Sequence, residues 1–105
     1  MKQQNIYANI PAKAEAEFFQ TLLQNKNVTI ERIVSHGHTS PAEGYYDQER
    51  DEWVVLLEGE AILSFETKED VHLTKGDYYF IKAHEKHRVS WTKEDCQSLW
   101  LAIFI

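Results

Sequence analysis

From residue 52 onward the chain alternates apolar and polar positions at period 2, in short runs broken by turn residues. That pattern predicts strands rather than helices. Over 52–57, Glu52, Val54 and Leu56 share one face while Trp53, Val55 and Leu57 share the other. Glu58 and Gly59 turn the chain, Ala61, Leu63 and Phe65 share a face on the next strand, and ETKED makes another turn. Further strands are expected over 71–73, 78–81, 87–91 and 99–105. Their spacing suits a sandwich or barrel. Upstream, the β-branched content of 28–34 favours a strand of imperfect parity, and SHGHTSPAEG reads as a loop on its Gly, Pro and Ser content.

The first 27 residues follow another rhythm. Ile6 and Tyr7 suit a short edge strand, and Asn9 with Pro11 marks a helix start. Ala12, Ala16, Phe19 and Leu23 fall on one helical stripe that Phe18 and Leu22 widen, so one helix ending near residues 25–27 is expected. At the other end, LWLAIFI is apolar on both faces. Such a strand is either central in a two-layered structure or covered by a second subunit; its terminal position favours the second, so a homodimer is expected.

A chain of 105 residues suits one domain with one core. Three Trp, five Tyr and five Phe fill that core. A net charge of -6 argues against nucleic acid and anionic membrane surfaces as partners. No stretch approaches the roughly 20 apolar residues of a membrane span. The single Cys96 has no internal disulfide partner, and MKQQNIYANI lacks the apolar run of a signal peptide, so a reduced, cytoplasmic setting is expected.

The chemistry gathers around two stretches, GYYDQERDEWVVLLEG and GDYYFIKAHEKHRVSW. Glu52 opens a strand on the same face as Val54 and Leu56. An inward carboxylate is costly unless it is paired, hydrogen-bonded or bound to a cation, so Glu52 is a ligand or part of a satisfied polar network. His87 heads a later strand. These two stretches resemble the cupins, whose first motif runs G-x5-H-x-H-x3or4-E-x6-G and whose second runs G-x5-P-x-G-x2-H-x3-N. Glu52 with Gly59 matches the end of the first, and Gly76 with His87 matches the second. The resemblance covers everything after about residue 28 and is nearest to small single-domain cupins.

The resemblance implies an all-β, antiparallel jelly-roll (RmlC-like) β-barrel over 28–105, with the segment and helix of 1–27 packed outside it as part of one structural domain. It also implies a divalent metal, Fe, Mn, Ni or Zn. The departures fall on the usual ligands. A three-residue gap before Glu52 puts Tyr46 and Gln48 where the family has its two His, and a four-residue gap puts Tyr45 and Asp47 there. Lys82 replaces Pro, His84 replaces Gly and Trp91 replaces Asn. Glu52, His87 and Gln48 are therefore the candidate metal ligands, with Tyr46, His84 and Trp91 as candidate pocket lining. Gln48 offers only a neutral amide oxygen, which binds more weakly than imidazole.

Other candidates have plainer readings. His36-Gly37-His38 with Glu43 imitates the first motif, but position 50, where its Gly would fall, is Arg50. His36 and His38 read as rim residues, from which one could swing into the barrel mouth. Trp53 and Trp100 read as core, His72 as surface, and Cys96 has no matched base. Two functions stay open. One is a metal-dependent enzyme such as an oxygenase, isomerase or lyase. The other is a non-catalytic small-molecule sensor or carrier with a degenerate metal site.

Overall fold

A computed structural model of the chain describes residues 3–12 and 16–105. Eight strands follow in order: β1 (Phe18–Gln24), β2 (Thr29–Ser35), β3 (Glu52–Glu58), β4 (Glu60–Phe65), β5 (Val71–Thr74), β6 (Tyr78–Ile81), β7 (His87–Thr92) and β8 (Ser98–Phe104). They form a five-stranded sheet, β1-β2-β8-β3-β6, and a three-stranded sheet, β5-β4-β7, with antiparallel pairing throughout. The alternation of 52–65 does what period 2 requires. Val54, Leu56, Ala61, Leu63 and Phe65 all turn into the space between the sheets, where Leu73, Ile81, Trp100 and Ala102 meet them. The sheets face one another without a ladder joining their edges, so the expected barrel is an open two-layered sandwich.

The expected helix is absent from the described residues, and the part of it over residues 13–15 lies outside them. Phe18–Gln24 is instead an edge strand paired with β2. Helical spacing lost to tertiary pairing here, because aromatic and β-branched residues sit well on a pleated surface. A bulge at Leu22 shifts the register, so that Phe19 opposes Ile33 while Leu23 opposes Ile30. Those partners are three apart, so the two residues of the helical stripe lie on opposite faces of the sheet. Ile6 and Tyr7 form a turn rather than an edge strand, with the Tyr7 amide bonded to Asn5 Oδ1 at 2.7 Å.

The imperfect parity of β2 also has a cause. Glu31 and Ile33 face the inside, and Arg32 faces the other way yet is only 5% exposed. Its guanidinium donates to the carbonyls of Ile6, Ala8 and Asn9 at 3.1, 2.7 and 3.3 Å and to Gln20 Oε1 at 2.6 Å. The N-terminal segment is thereby strapped across the outer face, and both faces of β2 are covered. The apolar β8 lies between β2 and β3 in the larger sheet. A central position, not an outer one, explains why both its faces are apolar.

The turn glycine of the first motif is a steric requirement. Gly59 has φ 94, and a Cβ there would stand 2.4 Å from Ser98 Oγ and 2.6 Å from Ser98 Cα. Only glycine lets the β3–β4 turn lie against the start of β8.

Candidate functional site

Between the sheets, toward the end where β3 and β7 begin, is a cavity of about 540 Å³. Glu52 and His87 both line it. Each is the first residue of its strand, and they are 7% and 4% exposed. His87 Nε2 lies 3.6 Å from Glu52 Oε1, an ion-pair distance slightly beyond a hydrogen bond. Its Nδ1 donates to the carbonyl of Glu85 at 2.8 Å, which fixes the ring and turns Nε2 toward the carboxylate. Burial alone would depress the imidazole, but Glu52 and the Glu85 carbonyl outweigh it and hold His87 above its ordinary pKa.

The connection between β2 and β3 reaches the cavity by pairing with β7. Ser40 bridges Val89, and Tyr46 exchanges both backbone hydrogen bonds with His87 at 2.7 and 3.2 Å. Tyr46 therefore faces the site, its ring centroid 5.7 Å from that of His87 and its hydroxyl bonded to Ser40 Oγ. Burial raises its pKa against the opposing Ser40 bond, and the charges of Glu17, Glu52 and Glu31 raise it further, so the phenol stays protonated. Gln48 also lines the cavity, and its Oε1 is buried without a hydrogen-bond partner. These placements follow the three-residue gap, which sets Tyr46 and Gln48 at the usual His positions.

Two of the expected pocket residues do not line the cavity. His84 sits on an exposed turn at φ 64, the backbone conformation that the family's glycine would favour. Its amide donates to the Gln48 carbonyl at 2.7 Å and its Nδ1 meets Asp47 Oδ1 at 2.7 Å, outside the cavity. Trp91 is 37% exposed because β7 bulges at Ser90: Leu63 opposes Val89 while Ile62 opposes Trp91. Strict alternation from His87 would have carried Trp91 inward. The extra residue turns it out and sends Thr92 in. His36 and His38 line a separate, smaller cavity of about 260 Å³, where the His36 amide donates to His38 Nδ1 at 2.9 Å. Trp100 belongs to the core and also forms part of the main cavity's wall.

Glu17 and Glu31 line the same cavity, beyond the residues to which the sequence motifs point. Glu17 accepts from Ser35 Oγ, which in turn accepts from Trp100 Nε1 at 3.2 Å. Burial raises the pKa of both carboxyls, with the charge of Glu52 adding to the effect at Glu31. Glu17 was hidden in a stretch read as helix. Glu31 was detectable, since it shares parity with Ile33, but the apolar residues on both faces of β2 masked which side was inward.

The family profile described as Cupin domain matches residues 29–104. The chain belongs to the cupins. Among solved structures, this cupin is similar to a Ralstonia eutropha JMP134 protein provisionally named a mannose-6-phosphate isomerase, at 38% identity over 99% of this chain and 97% of that one, with a TM-score of 0.92. A cupin superfamily protein of Desulfitobacterium hafniense DCB-2 shares the fold at 21% identity, 91% and 83% coverage and a TM-score of 0.75. An RmlC-like cupin of Desulfovibrio desulfuricans does so at 15% identity, 99% and 96% coverage and a TM-score of 0.77. No curated protein matches the chain. No helix among the described residues is long and apolar enough to cross a membrane.

Cupins commonly hold a divalent metal, and the donors here can be tested against one. Among the described residues, no three His, Cys, Asp or Glu side chains stand close enough to share an ion. Glu52 and His87 supply one carboxylate and one imidazole, and the Gln48 amide oxygen, buried beside them, lacks a partner. A tight transition-metal site wants more imidazole or thiolate than that. The donor set does not fit one, and a raised His87 favours a proton on the ring over a metal.

Proposed function

We propose that this cupin binds a small hydroxylated organic molecule in the cavity between its sheets, with the Glu52–His87 pair as the recognition centre. The observation that carries this reading is the fixed imidazole: its Nδ1 is committed to the Glu85 carbonyl, so Nε2 and the Glu52 carboxylate remain as a donor and acceptor on the cavity wall. Apolar walls from Val54, Leu63, Ile81 and Trp100 exclude water around them, as small-molecule sites require. The pair can also pass a proton, because the His87 imidazole is held above its ordinary pKa beside an acceptor.

A second reading has one observation in its favour. The unpartnered Gln48 Oε1, with Glu52 and His87, would complete a loose site for a divalent cation. In that reading the metal would polarise a bound oxygen, while the chain's own residues would orient the molecule and carry its proton. Calorimetric titration of untagged protein with glucose, before and after chelation, separates the two. The proposal expects binding that chelation leaves unchanged and that His87→Gln weakens at least about tenfold. Binding that appears only after Mn or Zn is restored would favour the second reading.

The homodimer is proposed across the N-terminal edge of the larger sheet. β1 offers an unpaired backbone edge with Phe18, Phe19, Leu22 and Leu23 exposed along it, a surface that a second copy could cover.

A further inference from the structure

The charge lining the cavity is lopsided. Glu17, Glu31, Glu49 and Glu52 all line it, against one permanently charged cation, Arg50. That cation is already engaged: Arg50 Nη1 donates to Thr29 Oγ1 at 3.0 Å, and the guanidinium lies 5.5 Å over the Phe104 ring. Glu52 has His87 as its counter-charge and Glu31 feels the charge of Arg50, but among the described residues no hydrogen bond or ion pair holds the Glu31 or Glu49 carboxylate. An independent feature points the same way. Gln48 Oε1 is an acceptor shut off from solvent with no donor to meet it. The cavity thus presents a surplus of acceptors and of negative charge to whatever enters.

A phosphate ester would meet that surplus with like charge, and the one permanent cation on the wall already gives Nη1 to Thr29 Oγ1 and lies over the Phe104 ring. A protonated amine would meet it with donors. Each ammonium hydrogen has an acceptor available, and the Tyr46 ring on the wall gives the cation a favourable face.

We infer that the cavity's ligand is a small hydroxylated amine, an amino sugar or a similar organic cation, and that sugar phosphates are rejected. The inference rests on the small-molecule reading of the cavity and adds the sign of the ligand's charge to it. It also separates this chain from the phosphorylated substrate in the name of its Ralstonia neighbour.

Glucosamine, glucose and glucose 6-phosphate form a series that holds the ring and changes the charge. Each is titrated calorimetrically into the full chain with EDTA present, at about pH 6.5, where the amine is protonated. At low ionic strength glucosamine is expected to bind about tenfold more tightly than glucose, and glucose 6-phosphate more weakly than either. Glu31→Gln, which keeps the shape and removes one charge, should shrink the preference for glucosamine over glucose about threefold. Raising the salt should shrink it as well. Glucosamine binding no tighter than glucose, or glucose 6-phosphate binding as tightly as glucose, would overturn the inference while leaving the small-molecule reading intact. No binding by any of the three would overturn both.

Discussion

The strands β1 and β8 both carry large apolar residues and lie in opposite circumstances. FFQTLLQ lies at the edge of the larger sheet with six of its seven residues exposed, while SLWLAIF lies in the middle of the same sheet with none exposed. Apolar content alone does not say which strand becomes core. What decides is whether both edges of the strand find partners, as β8 does with β2 and β3, or only one, as β1 does with β2. An apolar edge strand keeps free hydrogen-bonding groups and side chains in water, so it is the place where a further chain can add to the sheet.

The largest effect expected from that contrast is at Trp100. Trp100→Ala empties a fully buried site in β8 and should cost about 3–5 kcal/mol in denaturant unfolding, whereas Leu23→Ala on β1 should cost about 1 kcal/mol or less. Comparable losses at dilute concentration would break the comparison. Next comes the contact that lets β8 take its central place. Gly59→Ala puts a methyl into Ser98 at positive φ, and a loss of about 2–4 kcal/mol is expected, read as a lowered melting temperature.

Arg32 ties the outer face together, and a smaller effect is expected there. Arg32→Met keeps the stem but releases the carbonyls of Ile6, Ala8 and Asn9, so amide exchange over residues 5–9 should rise toward the free rate at a global cost of about 1–3 kcal/mol. Unchanged protection would show that the strap does not depend on the guanidinium. At β1 itself, Leu22→Lys should shift sedimentation from dimer to monomer at micromolar concentration with little change in monomer stability. A wild type that is already monomeric would remove the dimer proposal.

What the sequence made legible was the part whose local pattern and tertiary environment agree. Glu52 and His87 could be placed because each heads a strand on an inward parity and each matches one motif. Two bulges, at Leu22 and Ser90, broke the same logic elsewhere, because one unpaired residue reverses every face beyond it and leaves no mark in composition. Trp91 was lost in this way. The helix was misread because i, i+4 spacing in β1 imitates a helical stripe, and only pairing with β2 could refute it. Glu17 shared that error, while Glu31 was obscured by a strand covered on both faces.

The acidic cavity also gives stability a pH dependence of definite sign. His87, Glu17 and Glu31 all have their pKa raised by the fold, so the folded protein binds protons more readily than the unfolded chain does. Each contribution is fully present below the group's ordinary value, 6.5 for the imidazole and 4.5 for the carboxyls, and is lost as pH rises through the raised value. Melting temperature should therefore increase as pH is lowered toward the imidazole's ordinary range.

The pairing of Glu52 with His87 inside the cavity is the claim on which the site depends, and the titration of the His87 ring in chelated protein tests it most directly. Followed by NMR in wild type and Glu52→Gln, the imidazole should titrate above its ordinary 6.5 in the first and fall in the second, because burial then acts with less opposition. A ring that titrates at or below 6.5 in the wild type, or that does not respond to the loss of the Glu52 charge, would contradict the pair and the site built on it.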